Sequence, residues 1–139
     1  MKTTLNSSYV LLLLLVVWFF MSSSPVRADY HVFIKNGLGT KLMAHCRSKD
    51  DDFGFHYLTP SGAFTWKFRI NVFSTTLFYC DLYSGNLRGH FVVFDADRDR
   101  ARCDRNPQNH NVHNCNWTAK NDGLHFSNNG RDKLEFPWP

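Results

Sequence analysis

Apolar and polar positions alternate along much of the chain, most plainly between Cys46 and Cys80. There Phe64, Trp66, Phe68 and Ile70 fall on one parity, and Thr65, Lys67 and Arg69 on the other. A period of two predicts a strand with one face on a core and the other in water. Eight segments qualify as strands: Tyr30–Asn36, Thr40–Arg47, Ala63–Ile70, Thr75–Tyr83, Arg88–Asp95, Val112–Lys120, Gly123–Ser127 and Asp132–Phe136. Turn residues separate them, with Gly37-Leu38-Gly39, Pro60-Ser61-Gly62, Ser84-Gly85-Asn86 and Asn121-Asp122-Gly123 the clearest. Short strands at regular spacing predict an all-β fold, an antiparallel β-sandwich of about eight strands. Parity also aims the cysteines inward. Leu42 and Ala44 are in phase with Cys46, Phe78 and Leu82 with Cys80, and Trp117 and Ala119 with Cys115.

One segment breaks the period of two. Val10 to Met21 is an unbroken apolar run of twelve residues, with Lys2 before it and Ser22-Ser23-Ser24-Pro25-Val26-Arg27-Ala28 after it. A short basic region, an apolar stretch and small residues at the two positions read by signal peptidase describe a secretory signal peptide, 1–28, cleaved after Ala28. A membrane anchor needs about 20 apolar residues, more than this run supplies. The expectation is one exported domain, 29–139, with no membrane insertion once the leader is gone.

Removing the leader changes the charge picture. The formal +4 includes Lys2 and Arg27, so the 16 basic residues become 14 against 12 acidic ones. The bases are interleaved with the acids, whereas nucleic acids and anionic membranes call for a clustered basic face. All four cysteines, Cys46, Cys80, Cys103 and Cys115, remain. An even count in a small exported domain implies two disulfides, with three possible connectivities. Cys46–Cys115 with Cys80–Cys103 is the favoured pairing, and its long loop would contribute about 4 kcal/mol in the chain-entropy model. Zinc is disfavoured, because no Cys-x-x-Cys pair exists.

Candidate chemistry lies in two polar segments. Arg47 to Asp52 contains Asp50, Asp51 and Asp52, and the longer stretch from Asp95 to Asn114 opens with Asp97, Arg98, Asp99 and Arg100. Polar loops on a rigid scaffold are where recognition concentrates. These seven residues are the candidate recognition contacts, since opposed charges discriminate partners by penalising wrong pairings. Consecutive aspartates splay apart, and no glycine-punctuated calcium loop follows them. His110 and His113 lie three apart but have no third ligand in sequence, so neither metal nor cofactor is expected. Catalysis by His90, His110, His113 and His125 requires that they converge in the fold. Asn116-Trp117-Thr118 is an N-glycosylation sequon whose acceptor points outward if Cys115 and Trp117 point inward.

The segments Cys46-Arg-Ser-Lys-Asp-Asp-Asp-Phe-Gly, Gly62-Ala-Phe-Thr-Trp-Lys-Phe-Arg-Ile-Asn and Thr76-Leu-Phe-Tyr-Cys80, with Cys115-Asn-Trp117 and Asp122-Gly123 later, carry a joint pattern. Together they resemble the plant self-incompatibility S1 family, the S-protein homologues, over nearly all of 29–139. Tyr83 departs mildly, standing where many members carry a tryptophan. The resemblance implies a small secreted plant β-sandwich with two disulfides and no catalytic residues. It also implies an extracellular, monomeric ligand for a cell-surface receptor or another extracellular protein. The alternative is a secreted hydrolase or defence protein.

Overall fold

The alternating segments fold as two sheets packed face to face, and the computed structural model describes residues 6–22 and 28–139. The apolar run forms helix α1 (Ser7–Ser22), on which Leu11 to Leu15 stand exposed. No described helix is long and apolar enough to cross a membrane. Lys2 and the segment 23–27, which holds most of the expected cleavage motif, lie outside the described residues.

Ten strands follow: β1 (Asp29–Asn36), β2 (Leu42–Arg47), β3 (Asp52–Leu58), β4 (Ala63–Arg69), β5 (Leu77–Ser84), β6 (Leu87–Asp95), β7 (Asp104–Arg105), β8 (Val112–Lys120), β9 (Gly123–Asn128) and β10 (Arg131–Pro137). A single helical turn, α2 (Ala96–Asp99), lies between β6 and β7. The larger sheet has the order β10-β9-β8-β1-β4, with β7 added to β8, and the smaller has the order β3-β2-β5-β6. The sandwich is not antiparallel throughout, because β1 and β8 run parallel from Asp29–Val112 to Asn36–Ala119. They are far apart in sequence, and no hairpin fixes their relative direction.

The predicted parity holds. In β4, Phe64, Trp66 and Phe68 turn inward while Thr65, Lys67 and Arg69 are exposed. Val32, Ile34, Leu42, Ala44, Leu82, Val93, Trp117 and Leu124 are fully buried between the sheets. Trp117 on β8 also donates its indole N–H to the Val93 carbonyl on β6 at 2.8 Å, a buried hydrogen bond from one sheet to the other. A register shift between Phe78 and Tyr79 turns both Val93 and Phe94 inward. The Asn121-Asp122 hairpin closes on Gly123, whose φ of 148° is a region that favours glycine, and a Cβ there would meet the Phe136 carbonyl at 2.1 Å.

The disulfides differ from the favoured pairing: Cys46 bonds Cys80 and Cys103 bonds Cys115. Cys46 and Cys80 face each other directly on β2 and β5, with Cα atoms 4.0 Å apart. Cys115 lies on β8 of the opposite sheet, whereas Cys80 is the direct cross-strand partner of Cys46. The polar segment instead folds back so that Cys103 meets Cys115 across 4.6 Å. The bridges close sequence separations of 34 and 12. In the chain-entropy model they contribute about 4 and about 3 kcal/mol. A non-reducing digest of the chain 29–139 is expected to yield peptides linked 46–80 and 103–115, and replacing Cys46 and Cys80 by alanine to lower stability by about 2–5 kcal/mol in denaturant titration.

Candidate functional site

Strands β2, β4 and β6 end, and β1, β5 and β8 begin, at the same end of the sandwich. That end gathers the segments 48–51, 70–76 and 96–111. Each is shaped by local side-chain bonds. The Ser48 hydroxyl accepts from the backbone N–H groups of Asp50 and Asp51, and the Ser48 N–H donates to the Asp51 carbonyl at 2.7 Å, which turns the chain sharply into β3. Asn71 holds the second loop. Its side-chain Oδ1 accepts from Thr75 N–H at 2.8 Å, while its backbone N–H donates to the Thr76 hydroxyl at 2.9 Å. This ring of bonds thrusts Val72 and Phe73 outward, 78% and 82% exposed. Arg100 donates to the Ser74 hydroxyl, Ala96 N–H to the Thr76 carbonyl, and Tyr30 O–H to the Arg100 carbonyl, so the 70–76 loop and the chain after β6 form one surface. Between the 48–51 and 71–77 segments lies an open groove of about 510 Å³, walled by Lys49, Asp50, Asp51, Arg69 and Asn71.

The acidic triplet divides. Asp50 and Asp51 are exposed on the turn, whereas Asp52 begins β3, where its carboxylate accepts from Gly54 N–H at 2.9 Å and from His45 Nε2 at 2.7 Å. Both contacts, the backbone N–H above all, hold its carboxyl below the ordinary range. Hydrogen bonds from Arg69 to Asp29 and from His125 to Asp122 lower those two carboxyls likewise.

The charged quartet divides too. Asp97 and Arg100 are exposed, but Asp99 is 0% exposed and is unavailable to a partner. Its carboxylate accepts from Asp95 N–H at 2.8 Å, from Arg98 at 2.9 and 2.7 Å, and from Arg102 at 2.9 Å. Arg98 is spent on the same purpose, donating also to the Val92 carbonyl and lying over the Trp117 ring. An alternating run of charges in sequence reads as a solvated face. Here two of its four members tie the chain to the core.

The histidines do not converge. His90 lies on the outer face of the smaller sheet, paired with Asp81 at 2.6 Å, and His125 on the outer face of the larger one, paired with Asp122. His113 is stacked on Tyr30, while His110 is exposed between β7 and β8. Among the described residues no group of three histidine, cysteine or carboxylate side chains is placed to hold a metal. Asn116 sits half-buried in mid-sheet, on the outward parity between Phe33 of β1 and Ser127 of β9.

Sequence reasoning missed Val72 and Phe73. The available signal was the loss of alternation after Ile70, where two adjacent apolar residues cannot both face one core.

Two sheets, two buried disulfides and a loop-built end define a small β-sandwich. The family model for the plant self-incompatibility protein S1 matches residues 31–138, and the chain belongs to that family. It is 36% identical over 106 residues to S-protein homolog 24 of Arabidopsis thaliana, covering 75% of this chain and 65% of that protein. It is 37% identical over 121 residues to S-protein homolog 74 of the same plant, covering 82% and 74%. S-protein homolog 6 matches at 37% over 95 residues, with 68% of this chain and 63% of the relative covered. The chain thus spans a little under two thirds of the length of two of these relatives. A solved structure titled as that of self-incompatibility protein homologues, "a widespread family of small, highly stable, secreted proteins from plants", shares the fold. It aligns with a TM-score of 0.60 at 22% identity over 81% of this chain and 96% of that one.

Replacing Asp99 by alanine leaves Arg98 and Arg102 facing each other without their common anion. A loss of about 3–5 kcal/mol is expected in denaturant titration. Asp97→Ala, at an exposed position, is expected to stay within about 0.5 kcal/mol of the parent.

The lowered carboxyls set an acid limit. A group with a depressed folded-state pKa contributes stability that is present above its unfolded value, near 3.9, and is lost as pH falls through the folded value. The denaturation midpoint is therefore expected to lose the contributions of Asp29, Asp52 and Asp122 only below about pH 4. Asp122→Asn is expected to flatten that acid limb.

Proposed function

We propose that the chain is exported and acts as an extracellular recognition ligand for a cell-surface receptor, using the loop end of the sandwich. The observation that carries this reading is the exposed Val72–Phe73 pair, set between charged loops and held there by Asn71 rather than by a core. An exposed aromatic at the centre of a charged rim matches the energetic anatomy of protein interfaces, where a few apolar anchors supply affinity and the rim supplies selectivity. Asp50, Asp51, Asp97 and Arg100 are the rim in this reading, with Asp52 at its margin. Arg98 and Asp99 support it from beneath. The ligand acts as a monomer, and residues 1–28 are the leader. Cleavage after Ala28 would free the amine of Asp29, whose nitrogen already lies 2.8 Å from the Asn111 carbonyl at this same end. Asn116 would carry a glycan on the larger sheet's outer face, away from the loops.

The test is saturable binding of fluorescently labelled protein, residues 29–139, to plant protoplasts. The double variant Val72→Ser/Phe73→Ser keeps the core intact, because both side chains are exposed. It is expected to weaken binding at least tenfold, as is Asp50→Ala/Asp51→Ala to a lesser degree. Lys35→Ser/Lys67→Ser on the larger sheet should bind as the parent does. Unchanged binding by the Val72/Phe73 variant overturns the proposal.

A further inference from the structure

A second concave surface shares no lining residue with the loop groove, and it is built from residues that the recognition reading does not use. Arg131, Lys133 and Glu135 alternate along β10, and Phe126 and Asn128 alternate along β9. Phe126 is a core residue, 4% exposed, and Lys133 is its direct cross-strand partner, while Arg131 is the partner of Asn128. Cross-strand partners share a face of the sheet. Arg131 and Lys133 therefore occupy core-facing register positions, yet both are exposed. At this edge the inner face of the larger sheet is lined instead by Arg102, whose guanidinium lies 3.9 Å over the Phe126 ring. The result is a groove of about 560 Å³ lined by these residues and Asn129.

The charge around that groove is unbalanced. Arg102 is committed to Asp99 and Glu135, and with Arg98 on the same Asp99 these four groups cancel locally. Asp104, nearby, accepts from the Asn129 N–H. Asp132 points to the outer face, where it pairs with Lys120 and His125. Among the described residues neither Arg131 nor Lys133 has an ion-pair partner. Two unpaired cations two residues apart on one strand repel each other, and an anion between them relieves that repulsion. The Asn128 and Asn129 amides add donors and acceptors suited to hydroxyl groups, and the one aromatic ring is covered by Arg102. Volume and lining together suit a compact, hydroxyl-rich anion better than an apolar or peptide ligand.

We propose that this groove binds the carboxylate of an acidic oligosaccharide, with Arg131 and Lys133 on the carboxylate and Asn128 and Asn129 on neighbouring hydroxyls. The test is isothermal titration of the chain 29–139 with trigalacturonate, maltotriose, sodium sulfate and a phosphopeptide of similar charge. Trigalacturonate is expected to bind saturably and more weakly as salt rises, and Arg131→Ser/Lys133→Ser to weaken it at least tenfold. Lys35→Ser/Lys67→Ser should leave it unchanged, and maltotriose should not bind. The proposal is overturned if trigalacturonate does not bind or if the Arg131/Lys133 variant binds it equally. It is equally overturned if sulfate or the phosphopeptide binds as tightly.

Discussion

The carboxylate of Asp99 has no access to water, and that single condition organises the part of the molecule where strand pairing gives out. Transferring an isolated carboxylate from water to the interior costs several kilocalories per mole, so the ion is tolerable only with a complete set of partners. Asp99 has one backbone donor and two guanidinium groups around it. Two cations on one anion would leave an excess, which Glu135 of β10 removes by accepting from Arg102 at 2.9 Å. The four groups are neutral as a set. Each arginine then lays its flat face on the core, Arg98 over Trp117 and Arg102 over Phe126, so charge compensation and packing are achieved by the same atoms. The Cys103–Cys115 bridge immediately follows and fixes the returning chain to β8. With that segment anchored, the loop end above it and the groove beside it both have a rigid floor.

Local signals in the sequence carried most of the architecture. Strand positions, inward parity and the Asn121-Asp122-Gly123 hairpin depend on neighbours within a few residues, and they read correctly. Strand β3 escaped because Phe53 turns inward while Phe55 and Tyr57 turn outward, 60% and 72% exposed, which erases the alternation. Gly54, with a φ of 74°, breaks the pattern further. Disulfide partners depend on which strands become neighbours, a property of topology that spacing does not contain. The parallel union of β1 and β8 is invisible for the same reason. Asp99 was misread because a run of alternating charges has one appearance whether it faces water or closes on itself.

The two halves of that charged run show how surface charge and stability coexist in four consecutive residues. A helical turn sends successive side chains in different directions, so Asp97 and Arg100 reach solvent while Arg98 and Asp99 turn to the core. Substitution at the first pair alters surface charge at little structural cost. Substitution at the second pair strands a buried ion. The exposed positions of this turn can therefore vary only while the inward ones keep their pairing.

The same logic separates the loop end from the scaffold beneath it. The Asn71 ring of hydrogen bonds fixes the 70–76 backbone without using Val72 or Phe73, whose side chains contribute almost nothing to the core. Residues free of packing duty can change identity without a cavity penalty, whereas replacing Trp117 would lose a buried ring, an intersheet hydrogen bond and the platform for Arg98 together. The core and the exposed surface thus draw on different residues of the same short segments. One rigid sandwich can in this way present many surfaces.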